Sequence, residues 1–257
     1  ALPIYEYSVS QYVNDAARVV AEIRARRKAD DLEERSDILS MLLLARYEDG
    51  SSLTDEELRD ELVTLLLAGH ETTATSLAWA FERLTRTPAA LERLTDEVAA
   101  GERAYLDAVI KETLRIRPVV PAVAREMTET TEIGGFEIPA GSWVGLAIYL
   151  AHRRPESFPD PYAFKPERFM DTKPETYSWI PFGGGVRRCL GAAFAEFEMA
   201  VVISEMLKRV TLEAVTPAGE RMRRRNVTVV PSHGATVVMT SRKPQLRAAP
   251  EPITAAA

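Results

Sequence analysis

Residues 180–200, IPFGGGVRRCLGAAFAEFEMA, decide the fold, and they contain the only cysteine of the 257-residue chain. Cys189 follows a run of glycines and precedes a strongly apolar segment with helical spacing. A single cysteine is most often a small buried core residue, because its thiol is only weakly polar. The alternatives are a nucleophile or a metal ligand, and the neighbouring residues bear on that choice.

The residues around Cys189 favour a thiolate on an open surface. Arg187 and Arg188, with the N-terminus of the predicted helix, supply positive potential that stabilises a thiolate. Glycines on both sides remove side chains, so the backbone can turn tightly and a flat, bulky group can lie close to it. These glycines are Gly183, Gly184, Gly185 and Gly191.

Two common roles of a reactive cysteine lack their other residues. A nucleophile needs a base, and the chain offers only His70, His152 and His233, none in a recognisable nucleophile and base motif. A zinc site normally needs further Cys or His ligands nearby, and the sequence does not provide them. One thiolate on a glycine-lined surface, with an arginine for a propionate, is what a haem iron accepts as its proximal ligand.

Read as Phe182-x-x-Gly185-x-Arg187-x-Cys189-x-Gly191, the stretch resembles the haem-binding loop of the cytochrome P450 family. Three further matches follow the family's order: AGHETT at residues 68–73, ETLR at residues 112–115 and PERF at residues 166–169. The resemblance covers nearly all of the chain. It implies the cytochrome P450 fold, which is mainly α with small antiparallel β-sheets, with haem b as the cofactor and Cys189 as the iron ligand.

Two residues of the AGHETT motif would be catalytic. The resemblance gives Thr72 the role of hydrogen-bonding the iron-bound oxygen and Glu71 that of relaying protons from solvent. Because Ala68 and Gly69 remove bulk and Thr72 can hydrogen-bond a backbone carbonyl, we expect a local kink or widening of the helix. Taken alone, a Glu-Thr pair is more often a surface carboxylate beside a hydroxyl that bonds the helix backbone.

Glu112 and Arg115 lie three residues apart on one predicted helix. Such a pair is usually a solvated ion pair worth about 0.3 kcal/mol. In the family the pair is buried and is joined by the arginine of the later motif, here Arg168, so the three residues would be structural. Arg125 corresponds to a position that often contacts a haem propionate, although an exposed charge at a strand edge is the alternative. We expect His152 to be a partly buried, hydrogen-bonded histidine rather than a propionate contact.

The reaction that the resemblance implies is insertion of one oxygen atom of O2 into a C–H or C=C bond. The segments 119–123 and 226–229, whose residues are mostly apolar or small, are expected with the long helix to contact a hydrophobic organic substrate. The sequence shows no flavin or iron–sulfur motif, so a separate ferredoxin or flavodoxin with its reductase is implied as the electron donor. Arg187 and Arg188 would offer a basic surface to an acidic partner.

Family members are considerably longer than this chain. We therefore expect only the C-terminal part of a single P450-like domain, residues 1–246, with the N-terminal part missing, followed by a disordered tail at residues 247–257. The alternative function is a truncated, non-catalytic haem-binding or structural fragment whose exposed core surface drives self-association.

Composition agrees with a globular protein, since 46% hydrophobic residues are enough to bury a core. The formal net charge of −6 disfavours a nucleic-acid partner, which requires a basic surface. A single cysteine excludes an internal disulfide and fits a reducing cytosol. No window approaches about 18 apolar residues, so we predict a cytoplasmic protein without a membrane span.

Hydrophobic spacing predicts six helices. They begin at Val9, near residue 37, at the capping box of residues 54–57, at Pro88, near residue 106 and near residue 190. The last is apolar on most faces and is expected to be buried. Residues 131–147 predict short strands joined at glycine turns, and residues 227–230 and 236–239 predict a closing hairpin.

Overall fold

The computed structural model describes residues 9–170 and 174–242, with side chains from residue 17 onward. Helices dominate these residues, and their strands form two-stranded antiparallel sheets. The predicted class, mainly α with small antiparallel β-sheets, is confirmed. The chain divides into two compact units, residues 1–71 and 72–257. The tail predicted at residues 247–257 lies outside the described residues.

The first unit begins with two helices. α1 spans Val9–Arg26 and α2 spans Ile38–Leu44, with a 3-10 turn at Leu32–Glu34 between them. Asp37 caps α2, because its carboxylate accepts a hydrogen bond from the Ser40 N–H at 3.1 Å. The buried centre of this unit consists of Ile23, Leu43 and Leu58.

α3 spans Asp55–Thr85 and begins at the predicted capping box. The Thr54 N–H donates to Glu57 Oε2 at 2.8 Å, and the Glu57 N–H donates to Thr54 Oγ1 at 3.2 Å. Each side chain thus satisfies a free N–H group of the other residue. Every residue of α3 is α-helical, so the widening predicted around Ala68 and Gly69 is not present as a change of helix type.

Four helices build the core of the second unit: the C-terminal part of α3, α4 (Pro88–Ala100), α5 (Ala104–Ile116) and α7 (Ala192–Arg209). Proline occupies the first position of α4 as predicted, where its missing N–H costs no hydrogen bond. The fully buried apolar side chains of this core include Leu84, Leu94, Val109 and Ile203.

A glutamate fixes the junction between α4 and α5. The Glu97 carboxylate accepts hydrogen bonds from the N–H groups of Tyr105 at 2.7 Å and Leu106 at 2.8 Å. These are two of the N–H groups that a helix N-terminus leaves without an internal partner. The contact therefore sets where α5, which carries the ETLR motif, begins.

Two small sheets follow α5. β1 (Val123–Glu126) pairs with β4 (Trp143–Leu146), and β2 (Thr131–Ile133) pairs with β3 (Phe136–Ile138), both antiparallel. The predicted glycine turn joins β2 to β3, whereas the pairing partner of β4 was not predicted as a strand. The short helix α6 (Ile148–Ala151) then leads into a mainly irregular segment that ends at the cysteine loop.

The final strands pair differently from the prediction. β5 (Val210–Ala214) follows α7 directly and pairs with β8 (Val237–Arg242), while β6 (Met222–Arg225) pairs with β7 (Thr228–Pro231). The hairpin predicted between residues 227–230 and 236–239 is therefore wrong. β6 consists of one methionine and three arginines, so it shows no apolar alternation that would mark it as a strand.

The apolar composition of α7 predicted a helix that is buried on most faces, and this prediction is wrong. Met199 and Ile203 are buried, but the side chains of Phe194 and Phe197 are 62% and 56% exposed. Apolar composition does not tell whether a helix face is covered, which is why the prediction failed.

Within residues 9–170 and 174–242, every helix is too short or too polar to span a membrane.

The core assignment of α7 can be tested with two substitutions on that helix. Ile203→Ala should lower the free energy of unfolding by about 2–5 kcal/mol, because it deletes fully buried carbon atoms and leaves a cavity. Val201→Ala, at a half-exposed position, should change it by only about 0.5 kcal/mol. Urea unfolding followed by circular dichroism measures both values, and equal losses would contradict the assignment.

Candidate functional site around Cys189

Cys189 lies in a loop that two backbone hydrogen bonds close. Its N–H donates to the Phe182 carbonyl at 2.9 Å, and the Arg188 N–H donates to the Gly185 carbonyl at 3.1 Å. A short 3-10 turn at Gly185–Arg187 lies between them. The thiol itself is exposed. The loop therefore presents Sγ to its surroundings instead of burying it as a core residue.

Two glycines make this loop conformation possible. Gly183 has φ +71° and Gly185 has φ +65°, values in the left-handed region that other residues rarely adopt. A Cβ atom built at either position meets nothing within 4 Å, so the glycines also border open space. At Gly191, which precedes α7, a Cβ atom would lie 4.0 Å from Cys189 Sγ. Glycine at these positions keeps the surface around the thiol clear.

Exposed side chains around the thiol are apolar or basic. Val186 and Leu190 are almost completely exposed, and Arg187 and Arg188 are exposed beside them. α7 begins at residue 192, so its positive end lies close to Cys189 in the chain. Phe182 is half-buried, and its ring packs edge-on against Trp179 with centroids 6.3 Å apart. These residues surround the thiol with apolar surface and positive charge.

The structure brings Glu112, Arg115 and Arg168 together. Arg115 binds the Glu112 carboxylate with two hydrogen bonds, Nε to Oε2 at 2.6 Å and Nη2 to Oε1 at 2.8 Å, and both side chains are fully buried. Arg168 Nε donates to Glu112 Oε1 at 3.3 Å, and the Lys165 backbone N–H donates to the same oxygen at 2.8 Å. The buried carboxylate thus receives four hydrogen bonds, which offset its loss of water.

The remaining donors of Arg115 bind backbone carbonyls. Nη1 donates to the carbonyls of His152 and Pro161, both at 2.8 Å, and Nη2 donates to the Ala163 carbonyl at 3.2 Å. All three acceptors lie in the irregular segment after α6. A planar guanidinium can serve several acceptors in fixed directions, which the single ammonium group of lysine cannot do.

His152 is fully buried and hydrogen-bonded through both ring nitrogens. Nε2 accepts from the Ile180 N–H at 2.8 Å, and Nδ1 lies 3.2 Å from the Arg115 carbonyl oxygen. Burial lowers the pKa of His152 to about 4, and the nearby charges of Arg115 and Arg153 act in the same direction. The ring is therefore neutral near pH 7.

The other predicted site residues lie on α3 and β1. Glu71 and Thr72 are half-buried neighbours on α3, and the Thr72 carbonyl accepts the Ser76 hydroxyl at 2.9 Å. A hydroxyl bonded to the carbonyl four residues earlier is compatible with an unbroken helix, which explains why the helix type does not change. Arg125 is exposed on β1, where its Nη1 donates to the Ala124 carbonyl at 2.9 Å. The roles assigned to Glu71, Thr72 and Arg125 stay predictions.

Two contacts that hold the start of the cysteine loop were not predicted. The Trp179 indole N–H donates to the Lys111 carbonyl at 3.1 Å, and the Ile180 N–H donates to His152 as described above. Both involve a backbone group, which no residue pattern marks as a partner. The only available signal was that a tryptophan N–H in a partly apolar setting needs an acceptor.

Comparison with known proteins gives the family. The sequence model described as cytochrome P450 matches residues 6–239. “Putative cytochrome P450 135B1” of Mycobacterium tuberculosis is 51% identical over 227 residues, which are 86% of this chain and 48% of the relative. “Putative cytochrome P450 137” of the same organism is 47% identical over 220 residues, which are 85% and 46% of the two chains. The chain belongs to the cytochrome P450 family.

Solved structures agree with this assignment. “Retinoic acid bound cyanobacterial CYP120A1” matches with a TM-score of 0.78 and 29% identity, over 89% of this chain and 55% of that one. The crystal structure of a cytochrome P450 named CYP102L1 matches with a TM-score of 0.75 and 28% identity, over 84% and 53% of the two chains. The chain spans about half the length of these relatives.

The residues around Cys189 fit the haem group that the family implies. A porphyrin has an apolar face and anionic propionates, and the thiol is surrounded by exposed apolar side chains, exposed arginines and glycine positions that border open space. The exposure of Cys189 is compatible with a metal ligand at this position.

The buried carboxylate network can be tested by removing its charge. Glu112→Gln should lower the free energy of unfolding by about 3–5 kcal/mol, because it leaves Arg115 as an uncompensated buried charge. Glu205→Gln, which weakens the exposed pair with Arg209, should change the free energy of unfolding far less, because water screens exposed ion pairs. Urea unfolding compares the two variants. A loss for Glu112→Gln no greater than for the control would show that the network does not stabilise the fold.

The depressed pKa of His152 predicts a dependence of stability on pH. The pKa is about 4 in the folded chain against 6.5 for an exposed histidine, so between these values the unfolded chain binds a proton that the folded chain does not. The stability that neutral His152 contributes is complete above pH 6.5 and is lost as the pH falls toward 4, by about 3 kcal/mol.

His152→Gln provides the comparison, because glutamine does not titrate in this range. Urea unfolding of both proteins at pH 7 and pH 4 cancels the titration of carboxylates that they share. The free-energy difference between them should shift by about 3 kcal/mol in favour of the variant at pH 4. Parallel pH profiles would contradict the assignment.

Proposed function

We propose that the chain carries the haem-binding and catalytic motifs of a haem-thiolate monooxygenase, with haem b as cofactor and Cys189 as iron ligand. The observation that carries the proposal is the exposed thiol of Cys189, held by the hydrogen bond to Phe182 on a loop with two left-handed glycines. Membership of the cytochrome P450 family supports the same role.

Cys189, Arg187 and Arg125 are the side chains that we assign to holding the cofactor. Cys189 would bind the iron, and the start of α7 would stabilise the thiolate through its positive end. Arg187 and Arg125 would pair with the propionates, since both side chains are exposed cations. When bound, the haem supplies activation of O2 and transfer of one oxygen atom into a C–H or C=C bond of the substrate.

Glu71 and Thr72 would handle protons. A carboxylate can take up and release a proton, and a hydroxyl can both donate and accept hydrogen bonds, so the two can form part of a proton path. Both side chains are half-buried, so they keep partial access to water. We assign Thr72 the hydrogen bond to the reacting oxygen and Glu71 the exchange of protons with solvent.

The substrate would be a hydrophobic organic molecule. Two of the elements expected to contact it bind the third, β7: the Val229 N–H donates to the Val119 carbonyl at 2.7 Å, and the indole N–H of Trp79 on α3 donates to the Val229 carbonyl at 3.2 Å. Val227, immediately before β7, is exposed. Retinoic acid, bound by the cyanobacterial relative, is a largely apolar molecule of this kind.

Electrons would come from a ferredoxin or flavodoxin with its reductase. Arg187 and Arg188 are exposed on the cysteine loop and form a basic surface next to the thiol. An acidic protein that docks there would place its redox centre close to Cys189, and opposite charges would raise the rate of association.

A second candidate function is a non-catalytic haem-binding or structural fragment. The observation that favours it is the exposed apolar face formed by Leu190, Phe194 and Phe197. A contiguous apolar face of this kind promotes self-association. The two candidates differ in turnover: only a monooxygenase consumes NADH with a ferredoxin and its reductase in the presence of a hydrophobic substrate and forms an oxygenated product.

Cys189→Ser tests the assignment of the iron ligand. The unaltered chain, titrated with haem, reduced and exposed to carbon monoxide, should show the red-shifted absorption band of a thiolate-ligated haem. The variant should lose this band, because a serine hydroxyl does not replace the electron donation of a thiolate. Val215→Ser, at an exposed position after β5 and outside the cysteine loop, is the control and should retain the band. A chain that binds haem without the thiolate band would overturn the proposed function.

A further inference from the structure

The His152 ring joins α5 to the residues that open the cysteine loop. Its Nε2 lies 2.8 Å from the Ile180 nitrogen, and its Nδ1 lies 3.2 Å from the carbonyl oxygen of Arg115 near the end of α5. The His152 carbonyl in turn accepts a hydrogen bond from Arg115 Nη1 at 2.8 Å. The ring is therefore held by the same arginine that binds the buried Glu112 carboxylate.

The two contacts determine the tautomer of the ring. A backbone N–H can only donate, so Nε2 must carry a lone pair toward Ile180. The proton of the neutral ring then lies on Nδ1 and points to the Arg115 carbonyl, which can only accept. Nε2 can thus only accept a hydrogen bond here, and Nδ1 can only donate one. Both partners are backbone groups, one a fixed donor and the other a fixed acceptor.

Ile180 is a sensitive point for fixing the loop. Pro181 follows it and has no N–H to donate. The Gly183 N–H then bonds the Ile180 carbonyl at 3.0 Å. The Phe182 carbonyl then accepts the Cys189 N–H at 2.9 Å. A shift of Ile180 therefore changes both hydrogen-bonded turns between His152 and the thiol.

We propose that His152 is a positioning residue for Cys189, because its hydrogen bond to the Ile180 N–H fixes the loop that carries the thiol. The effect of the loop position on iron binding rests on the proposed function, in which Cys189 binds iron. The hydrogen bonds that fix the loop join groups of this chain only. The Trp179 indole N–H, one residue earlier, also holds the start of the loop through its hydrogen bond to the Lys111 carbonyl. That contact does not involve the backbone of Ile180, which is held by His152.

Two amide variants separate the two bonds of the ring. The side-chain amide of glutamine reaches about as far as Nε2, so His152→Gln keeps an acceptor for the Ile180 N–H. The amide of asparagine reaches only about as far as Nδ1, so His152→Asn keeps the donor to the Arg115 carbonyl and leaves the Ile180 N–H without its acceptor. Both variants are polar and similar in size, which makes them a matched pair.

The measurement is amide hydrogen exchange of the complete chain without haem, resolved at residues 180–189 and compared with the core amides of α7. His152→Asn should speed exchange in the loop about tenfold relative to α7, the effect of losing one buried hydrogen bond. His152→Gln should leave the loop close to the unaltered protein. His233→Gln, at an exposed histidine, should change neither region.

The inference fails if His152→Asn leaves the loop as protected as before, or if both variants speed exchange in the loop and in α7 by the same factor. A haem titration gives an independent readout: the thiolate band of the reduced carbonyl adduct should be weaker in His152→Asn and restored in His152→Gln. If the unaltered chain shows no such band, the proposed function fails, while the exchange data still decide whether His152 positions the loop.

Discussion

The buried carboxylate of Glu112 is the constraint on which the rest of the second unit depends. A charged group without water is stable only when hydrogen bonds replace its solvation, and this one receives two from Arg115, one from Arg168 and one from the Lys165 backbone. To supply them, the PERF turn must lie against α5. The carboxylate therefore holds in place a mainly irregular segment that has few hydrogen bonds of helices or sheets.

The same hydrogen-bond network extends from Glu112 to the loop that carries the thiol. Each backbone group along it can act only as a donor or only as an acceptor. Arg115 binds the carbonyl of His152, the ring of His152 accepts the Ile180 N–H, and Ile180 begins the turn that ends at Cys189. Aromatic rings pack beside this path, with Phe158, Phe169 and Trp179 in edge or tilted contact. The loop has no regular secondary structure beyond one 3-10 turn. Buried hydrogen bonds and the packing of the aromatic rings therefore limit how far it can move.

Side-chain chemistry at fixed spacing could be predicted from the sequence, whereas backbone partners could not. The capping box at Thr54, the proline start of α4 and the glycine turn between β2 and β3 have local causes and were predicted. The pairing of β6 with β7 was missed because a strand of one methionine and three arginines has no apolar period. The exposed face of α7 was missed because composition does not show what covers a surface. The contact between His152 and Ile180 joins residues 28 apart through a backbone group that every residue except proline possesses.

The exposed side of the cysteine loop has the opposite character to its buried side. On the buried side, hydrogen bonds link Glu112, Arg115, His152 and Ile180 in turn. On the other side, Val186 and Leu190 are exposed beside the thiol. Apolar side chains in water gain free energy when another surface covers them, so a flat apolar ligand on this side would be favoured independently of any bond to sulfur. Covering the thiol would also exclude water from the metal–sulfur bond, and a dry hydrophobic shell tunes the properties of a bound metal. The hydrogen-bonded side and the open apolar surface are therefore complementary requirements of the proposed binding site: the first would fix where the sulfur lies, and the second would provide contact area for a ligand.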